Sequence, residues 1–183
     1  LGRKLSSTDR FGQVTRFDYD EFGRLERMIH PTVLDEHGKT IQPVFSYTYD
    51  IFGNILSTTD PKGYVTSKIY NIRGGPTQIF YPDGTTELFK YDLEGSLHRS
   101  LTRDNLVTVH EYDYLGRIFY QETSKIPNEG SLIFLKGHSY KYNGFRVLKE
   151  TETEGIDEFQ RVTLFRHDPA GRIISTIQYD GNL

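Results

Sequence analysis

From Gly63 to Tyr70 and from Thr85 to Tyr91, apolar or aromatic side chains fall mostly on alternate positions, with polar ones between. A period of two belongs to strands with one half-covered face. No stretch sustains a helical period. The alternating runs are short and bounded by Asp, Asn, Gly and Pro, so the pattern predicts short strands joined by tight turns.

Those turns recur. A Tyr, an Asp, two variable residues, a Gly, one further residue and an aliphatic appear as Tyr19-Asp20-Glu21-Phe22-Gly23-Arg24-Leu25, Tyr49-Asp50-Ile51-Phe52-Gly53-Asn54-Ile55, Tyr91-Asp92-Leu93-Glu94-Gly95-Ser96-Leu97 and Tyr112-Asp113-Tyr114-Leu115-Gly116-Arg117-Ile118. Weaker copies are Tyr70-Asn71-Ile72-Arg73-Gly74, the compressed Tyr142-Asn143-Gly144, and His167-Asp168-Pro169-Ala170-Gly171-Arg172-Ile173. Tyr49, Tyr70, Tyr91 and Tyr112 are each 21 residues apart. Second turn signals lie between: Thr8-Asp9-Arg10-Phe11-Gly12, Thr59-Asp60-Pro61-Lys62-Gly63, Tyr81-Pro82-Asp83-Gly84 and Thr102-Arg103-Asp104-Asn105. Each unit of about 21 residues thus holds two turns and two strands, which makes the chain an all-β array of antiparallel β-hairpins.

Turn chemistry accounts for the residue types. The Asp (20, 50, 92, 113) accepts a hydrogen bond from the amide two residues on, the middle pair forms a type I turn, and the Gly (23, 53, 95, 116) takes the left-handed conformation of a bulge. The preceding Tyr (19, 49, 91, 112) and the following aliphatic face each other across the hairpin, a pairing that contributes roughly 0.2 to 1 kcal/mol. These twelve Tyr, Asp and Gly residues are therefore expected to be structural. Two stretches break the period. Tyr19 to Tyr49 and Tyr112 to Tyr142 are each 30 residues, and longer hairpin loops are expected at about 30–43 and 124–138, including Pro31 to Lys39 and Lys125 to Gly130. Such insertions are where repeat proteins carry partner-specific contacts.

Composition narrows the function classes. The net charge of -3 offers no basic footprint, so no nucleic-acid partner is expected. The 183 residues contain no Cys, which excludes disulfides, thiolate metal sites and a Cys nucleophile. Thirteen Tyr and 12 Phe suit half-buried pleated surfaces. The longest apolar runs are pieces such as Leu132 to Leu135, far short of the roughly 20 residues of a spanning helix. The start, Leu1-Gly2-Arg3-Lys4-Leu5, has neither an initiator Met nor the apolar core of a signal peptide, and the chain reads as part of something longer.

Catalytic signatures are lacking. Histidines 30, 37, 98, 110, 138 and 167 form no zinc-binding spacing, the aspartates fall at turn positions, and there is no Gly-x-Ser-x-Gly elbow or phosphate-binding Gly-rich loop. No catalytic residue, cofactor or metal is expected. Tyr140-Lys141-Tyr142 interleaves aromatic and basic residues, but strand alternation sends the Lys to the opposite face, leaving sugar stacking on the Tyr face as the alternative use.

The Tyr-Asp-x-x-Gly-x-aliphatic units resemble the YD repeats of the Rhs family, which includes bacterial polymorphic toxins, the B and C subunits of Tc toxins, and teneurins. The resemblance covers Thr8 to Asp180 and is closest at Tyr19 to Leu25 and Tyr112 to Ile118. It implies a β-sheet strip that spirals into a hollow shell around a C-terminal toxin, and secretion or surface display by a bacterial parent protein. In that picture residues 1–183 are a single, non-catalytic YD-repeat segment whose partners are the rest of the shell and its cargo. The family's self-cleaving core is not visible here, since the turn at His167 to Arg172 fits an ordinary repeat. The alternative is a binding module for a surface glycan or receptor, using aromatic strand faces or the two long loops. A strip with open edges is also expected to self-associate.

Overall fold

The computed structural model describes residues 2–127, 131–155 and 159–180, with backbone alone at Phe159. Among the described residues there is no helix, and strands that pair run antiparallel. The chain divides into two compact units, Leu1–Thr86 and Glu87–Leu183.

In the first unit the main ladder is built from β1 (Ser6–Thr8), β2 (Val14–Tyr19), β3 (Leu25–Ile29), β6 (Val44–Tyr49), β7 (Ile55–Thr59), β8 (Val65–Tyr70) and β9 (Pro76–Phe80), hydrogen-bonded in that order. Between β3 and β6 the chain folds β4 (Val33–Leu34) and β5 (Thr40–Ile41) into a separate two-stranded hairpin. The stretch at 30–43 therefore holds structure of its own. Asp35 caps it as the repeat aspartates cap theirs, its Oδ1 accepting from the amides of His37 at 2.9 Å and Lys39 at 2.8 Å.

The second unit carries β10 (Thr86–Tyr91), β11 (Leu97–Leu101), β12 (Leu106–Tyr112), β13 (Ile118–Lys125), β14 (Ile133–Asn143), β15 (Arg146–Glu154), β16 (Phe159–His167) and β17 (Ile173–Asp180), again in sequence order. Residues 124–125 and 133–138 continue β13 and β14, because the additional positions lengthen both strands, from Tyr120 opposite Ser139 to Lys125 opposite Ile133, with one slip of register between Thr123 and Ser124. Asn128, Glu129 and Gly130 lie outside the described residues.

Each hairpin closes the same way. Tyr19 pairs with Leu25, Tyr49 with Ile55, Tyr70 with Pro76, Tyr91 with Leu97, Tyr112 with Ile118, Tyr142 with Val147 and His167 with Ile173, and at each the register slips by a bulge just before the aromatic residue. At the turns φ is +79° at Gly23, +92° at Gly53, +99° at Gly95 and +76° at Gly116, the region where a Cβ is unfavourable.

The fold has little private core. Val107 and Val162 are the buried hydrophobic side chains among the described residues, and the chain exposes 13164 Å². A compact protein of 21.2 kDa would expose roughly 9,000 Å². Successive hairpins are consequently held by what runs between them.

Candidate functional site

The repeat positions form a built network that begins at the turn aspartate. Asp50 Oδ1 accepts hydrogen bonds from the amides of Phe52 and Asn54, both at 2.9 Å. Asp113 does the same with Leu115 at 2.9 Å and Arg117 at 3.0 Å. The main chain closes beneath: Gly53 N–H donates to the Asp50 carbonyl at 3.2 Å and Asp50 N–H to the Asn54 carbonyl at 3.0 Å. One carboxylate oxygen thus holds two amides that the turn leaves without strand partners.

The second carboxylate oxygen engages the residue after the glycine. Arg24 Nε donates to Asp20 Oδ2 at 2.7 Å, Arg117 Nε to Asp113 Oδ2 at 2.8 Å, Arg172 Nε to Asp168 Oδ2 at 2.6 Å, and Asn54 Nδ2 to Asp50 Oδ2 at 2.8 Å. These arginines also reach forward. Arg24 Nη1 donates to the Asp50 carbonyl of the next hairpin at 2.7 Å while its guanidinium lies 4.8 Å from the centroid of the Tyr49 ring. Arg117 repeats the arrangement, donating to the Gly144 carbonyl and stacking 4.0 Å from the Tyr142 ring. In the compressed turn, Arg146 donates to the carbonyls of Asp168 at 3.2 Å and Pro169 at 3.1 Å.

Tyrosine hydroxyls return the connection. Tyr49 donates to Leu25 O at 2.7 Å, Tyr70 to Ile55 O at 2.8 Å, Tyr112 to Leu97 O at 2.9 Å and Tyr142 to Ile118 O at 2.6 Å. In every case the acceptor is the aliphatic that faces the preceding repeat's tyrosine. Tyr19 makes the equivalent bond to Lys4 O at 2.9 Å. The spacing of the motif in the sequence shows where the tyrosines stand; which carbonyl each hydroxyl reaches depends on the neighbouring hairpin, and the residue after the glycine carries a role that turn rules alone do not assign to it.

Electrostatics follow from this wiring. The Arg117 side chain beside Asp113 holds its carboxyl below the ordinary 3.8, the Asn54 side-chain amide does so for Asp50, and for Asp168 the Arg172 backbone amide leads. At Asp20 burial pulls upward, but the Arg24 amide and guanidinium together outweigh it and the net shift is down. Burial raises Tyr49, Tyr70, Tyr91 and Tyr112 above the ordinary 10.0. At neutral pH the carboxylates are ionised and the phenols protonated, each engaged with main chain. The arrangement fastens backbone to backbone.

Histidines scatter across this frame. The His30 ring meets Phe45 edge-on at 5.7 Å, His37 is exposed beside Glu36, and His98 Nδ1 lies 3.0 Å from the His110 carbonyl. His138 sits between Glu150 at 3.8 Å and Glu152 at 3.6 Å. Burial, and secondarily His98, lower the pKa of His110. No group of three His, Asp or Glu side chains among the described residues could hold a metal ion. An open cavity of 530 Å³ lies beside Tyr112 and is lined by Asp92, Ser96, His98, His110 and Phe119, with the Asp92 carboxylate already accepting from Gly95 and Ser96 amides.

Known proteins share this organisation. The family model described as RHS Repeat matches residues 1–32. Double-stranded DNA deaminase toxin A of Burkholderia cenocepacia (strain H111) is 31% identical over 169 residues, which covers 88% of this chain and 10% of that protein. Among solved structures, TcdB2-TccC3-TEV superposes with a TM-score of 0.68 at 16% identity, over 94% of this chain and 9% of that one. The Tc holotoxin pore of Photorhabdus luminescens gives 0.57 at 12% identity, over 92% and 11%. The structural likeness is one of fold, and the chain spans about a tenth of the length of these relatives.

Proposed function

We propose, from the premise that this chain belongs to the Rhs/YD-repeat family, that it is a structural, non-catalytic wall segment of a secreted bacterial protein whose shell encloses or delivers a C-terminal toxic polypeptide. Residues 1–183 act as one repeat segment of that wall, and their partners are the remainder of the shell and its cargo. The observation that carries the reading is the two-way fastening at two hairpin junctions, Arg24 to the Asp50 carbonyl with Tyr49 back to the Leu25 carbonyl, and Arg117 to the Gly144 carbonyl with Tyr142 back to the Ile118 carbonyl. It commits the side chains of Tyr19, Asp20, Tyr49, Asp50, Tyr112 and Asp113 to holding main chain, and Gly23, Gly53, Gly95 and Gly116 to turning it. The toxin named among the relatives supports the cargo.

Limited proteolysis of the longer protein tests this reading. With the repeats intact, the C-terminal polypeptide is expected to resist a protease that cuts it rapidly once Tyr112→Phe and Arg117→Ala loosen the wall. Equal resistance in both forms, or equal cleavage, overturns the proposal. A second reading, recognition of a surface glycan or receptor, draws on the β4–β5 hairpin, where Val33, Leu34 and Ile41 are exposed beyond the main ladder. A glycan and receptor binding screen with residues 31–42 replaced by a short Gly-Ser linker separates the two, since that hairpin is outside the ladder.

A further inference from the structure

One repeat lacks the side chain that the others place against their turn carboxylate. Oδ2 of Asp20, Asp50, Asp113 and Asp168 is taken by the residue after the glycine, which is Arg24, Asn54, Arg117 and Arg172 in turn. After Gly95 that residue is Ser96, which is too short to do the same. Asp92 Oδ1 accepts from the amides of Gly95 at 2.8 Å and Ser96 at 2.7 Å, and its Oδ2 has no partner among the described residues. The open cavity of 530 Å³ lies at this point, with Asp92, Ser96, Tyr112 and Asp113 in its wall. All four belong to the second unit.

What that wall offers follows from the two junctions where a guanidinium fills the equivalent place. The Arg24 guanidinium takes Asp20 Oδ2 of its own turn, the Tyr49 ring at 4.8 Å and the Asp50 carbonyl. Arg117 takes Asp113 Oδ2, the Tyr142 ring at 4.0 Å and the Gly144 carbonyl. Tyr112 stands against the 92–96 turn as those tyrosines stand against theirs, because its hydroxyl reaches the Leu97 carbonyl as Tyr49 reaches Leu25 and Tyr142 reaches Ile118. The Asp92 charge acts on Tyr112, adding to burial in raising its pKa. The counterparts of all three guanidinium contacts are therefore present, as Asp92 Oδ2, the Tyr112 ring and the Asp113 carbonyl, while the turn itself supplies no guanidinium. Glu94 and Glu111 also line the cavity, and no Lys or Arg occurs among its described lining residues.

We propose that this cavity is a binding site for a guanidinium group brought from outside the turn, by a small guanidine or by an arginine side chain of another polypeptide. A planar guanidinium can donate to a carboxylate oxygen and to a carbonyl at once while its face lies on an aromatic ring, a combination that an ammonium matches poorly. The chain already uses that combination twice, at Arg24 and Arg117, so the recognition chemistry is the protein's own. The cavity volume leaves room for an alkyl stem beside the charged head. The site rests on one junction inside the second unit and holds whether or not the chain encloses a cargo.

Amide NMR shifts of the nitrogen-labelled 183-residue chain test it near neutral pH and at constant ionic strength, with methylguanidinium, methylammonium and N-acetylarginine methylamide as probes. Both guanidinium probes are expected to shift the Ser96, Tyr112 and Asp113 amides with a dissociation constant on the order of 1 mM, and methylammonium to bind at least about fivefold more weakly. Tighter binding of the blocked arginine than of methylguanidinium assigns the group to a polypeptide, and equal or weaker binding assigns it to a small guanidine; either result supports the site. Asp92→Asn, which keeps an acceptor for the turn amides but not the charge, should weaken binding at least about tenfold. Ser96→Arg places a guanidinium on the turn itself, so it should abolish probe binding and raise the thermal midpoint by about 2 to 4 °C. Circular dichroism confirms that each variant keeps its sheet. Unmoved amides at these positions up to about 20 mM probe overturn the proposal, as do equal binding of methylammonium and shifts that survive both variants.

Discussion

The hydroxyl of Tyr49 reaches back to the carbonyl oxygen of Leu25 on the neighbouring strand β3, 2.7 Å away, and Leu25 is the residue that faces Tyr19 in the hairpin before. The tyrosine of one repeat is thereby bonded to the pair formed by the tyrosine of the previous one. Removing only that oxygen isolates its contribution. Tyr49→Phe and Tyr70→Phe should each destabilise by about 1 kcal/mol, the usual net value of one such hydrogen bond, with the strand content unchanged. Urea unfolding followed by circular dichroism measures this. An effect below about 0.3 kcal/mol in both would mean that the hydroxyl bonds equally well to water and does not join the hairpins.

Backbone conformation at the turns gives a second expectation. Gly53 has φ +92° and an added Cβ would meet nothing within 4 Å, so Gly53→Ala introduces backbone strain without a clash and should cost about 1 to 2 kcal/mol. Asn105 occupies the matching place in the Thr102 turn with φ +60°, a conformation Asn tolerates better than other non-Gly residues. Asn105→Gly should therefore change stability by less than about 0.5 kcal/mol, while Asn105→Val should cost about 1 to 2 kcal/mol. Thermal or urea denaturation of the three variants side by side checks the order.

The turn chemistry was legible in the sequence because it is local: Asp-x-x-Gly states its own geometry within five residues, and the alternation between turns gives the strands. The Asp35-Glu36-His37-Gly38 run carried the same signal inside the first insertion, where the expectation of a loop passed over the β4–β5 hairpin. What joins the hairpins could not be read that way. The carbonyl that Tyr112 finds belongs to Leu97, 15 residues away, and the one Arg117 finds belongs to Gly144, 27 residues away. Such partners are set by strand order and bulge position, so Arg24 and Arg117 look in sequence like ordinary exposed strand residues.

Protonation should loosen the array in two stages. His110 has its pKa lowered from 6.5, so the folded state binds its proton less readily than the unfolded chain. That contribution is present above 6.5 and is lost as pH falls below it. The turn carboxylates of Asp50, Asp113 and Asp168 are lowered from 3.8, so their contribution is intact above that value and disappears as pH falls through the folded pKa. Thermal midpoints between about pH 8 and pH 3 should accordingly decline gently near 6 and steeply below 4. Asp113→Asn, which keeps the shape but cannot ionise, should lower the midpoint at pH 7 and reduce the steep acid step. A variant with an undiminished acid step would place the sensitivity in other carboxylates.

The last repeat breaks the tyrosine series, and the break can be repaired. His167 stands opposite Ile173 where the other hairpins place Tyr, and its Nδ1 is buried with no hydrogen-bond partner. By the rule that Tyr70 and Tyr142 follow, a tyrosine here would donate to the carbonyl of Val147, the residue facing the preceding Tyr142. Space exists for the larger ring, since an open cavity of 420 Å³ lined by Tyr140, Phe145, Val147 and Phe165 adjoins the imidazole. His167→Tyr removes an unpaired buried nitrogen and adds one inter-hairpin hydrogen bond, so it should stabilise the chain by about 1 kcal/mol. His167→Phe fills the same space without the hydroxyl and should recover less. Urea midpoints at pH 7.5 compare the three, and a His167→Tyr no more stable than His167→Phe would show that the bulge before His167 directs its side chain away from the line the other tyrosines keep.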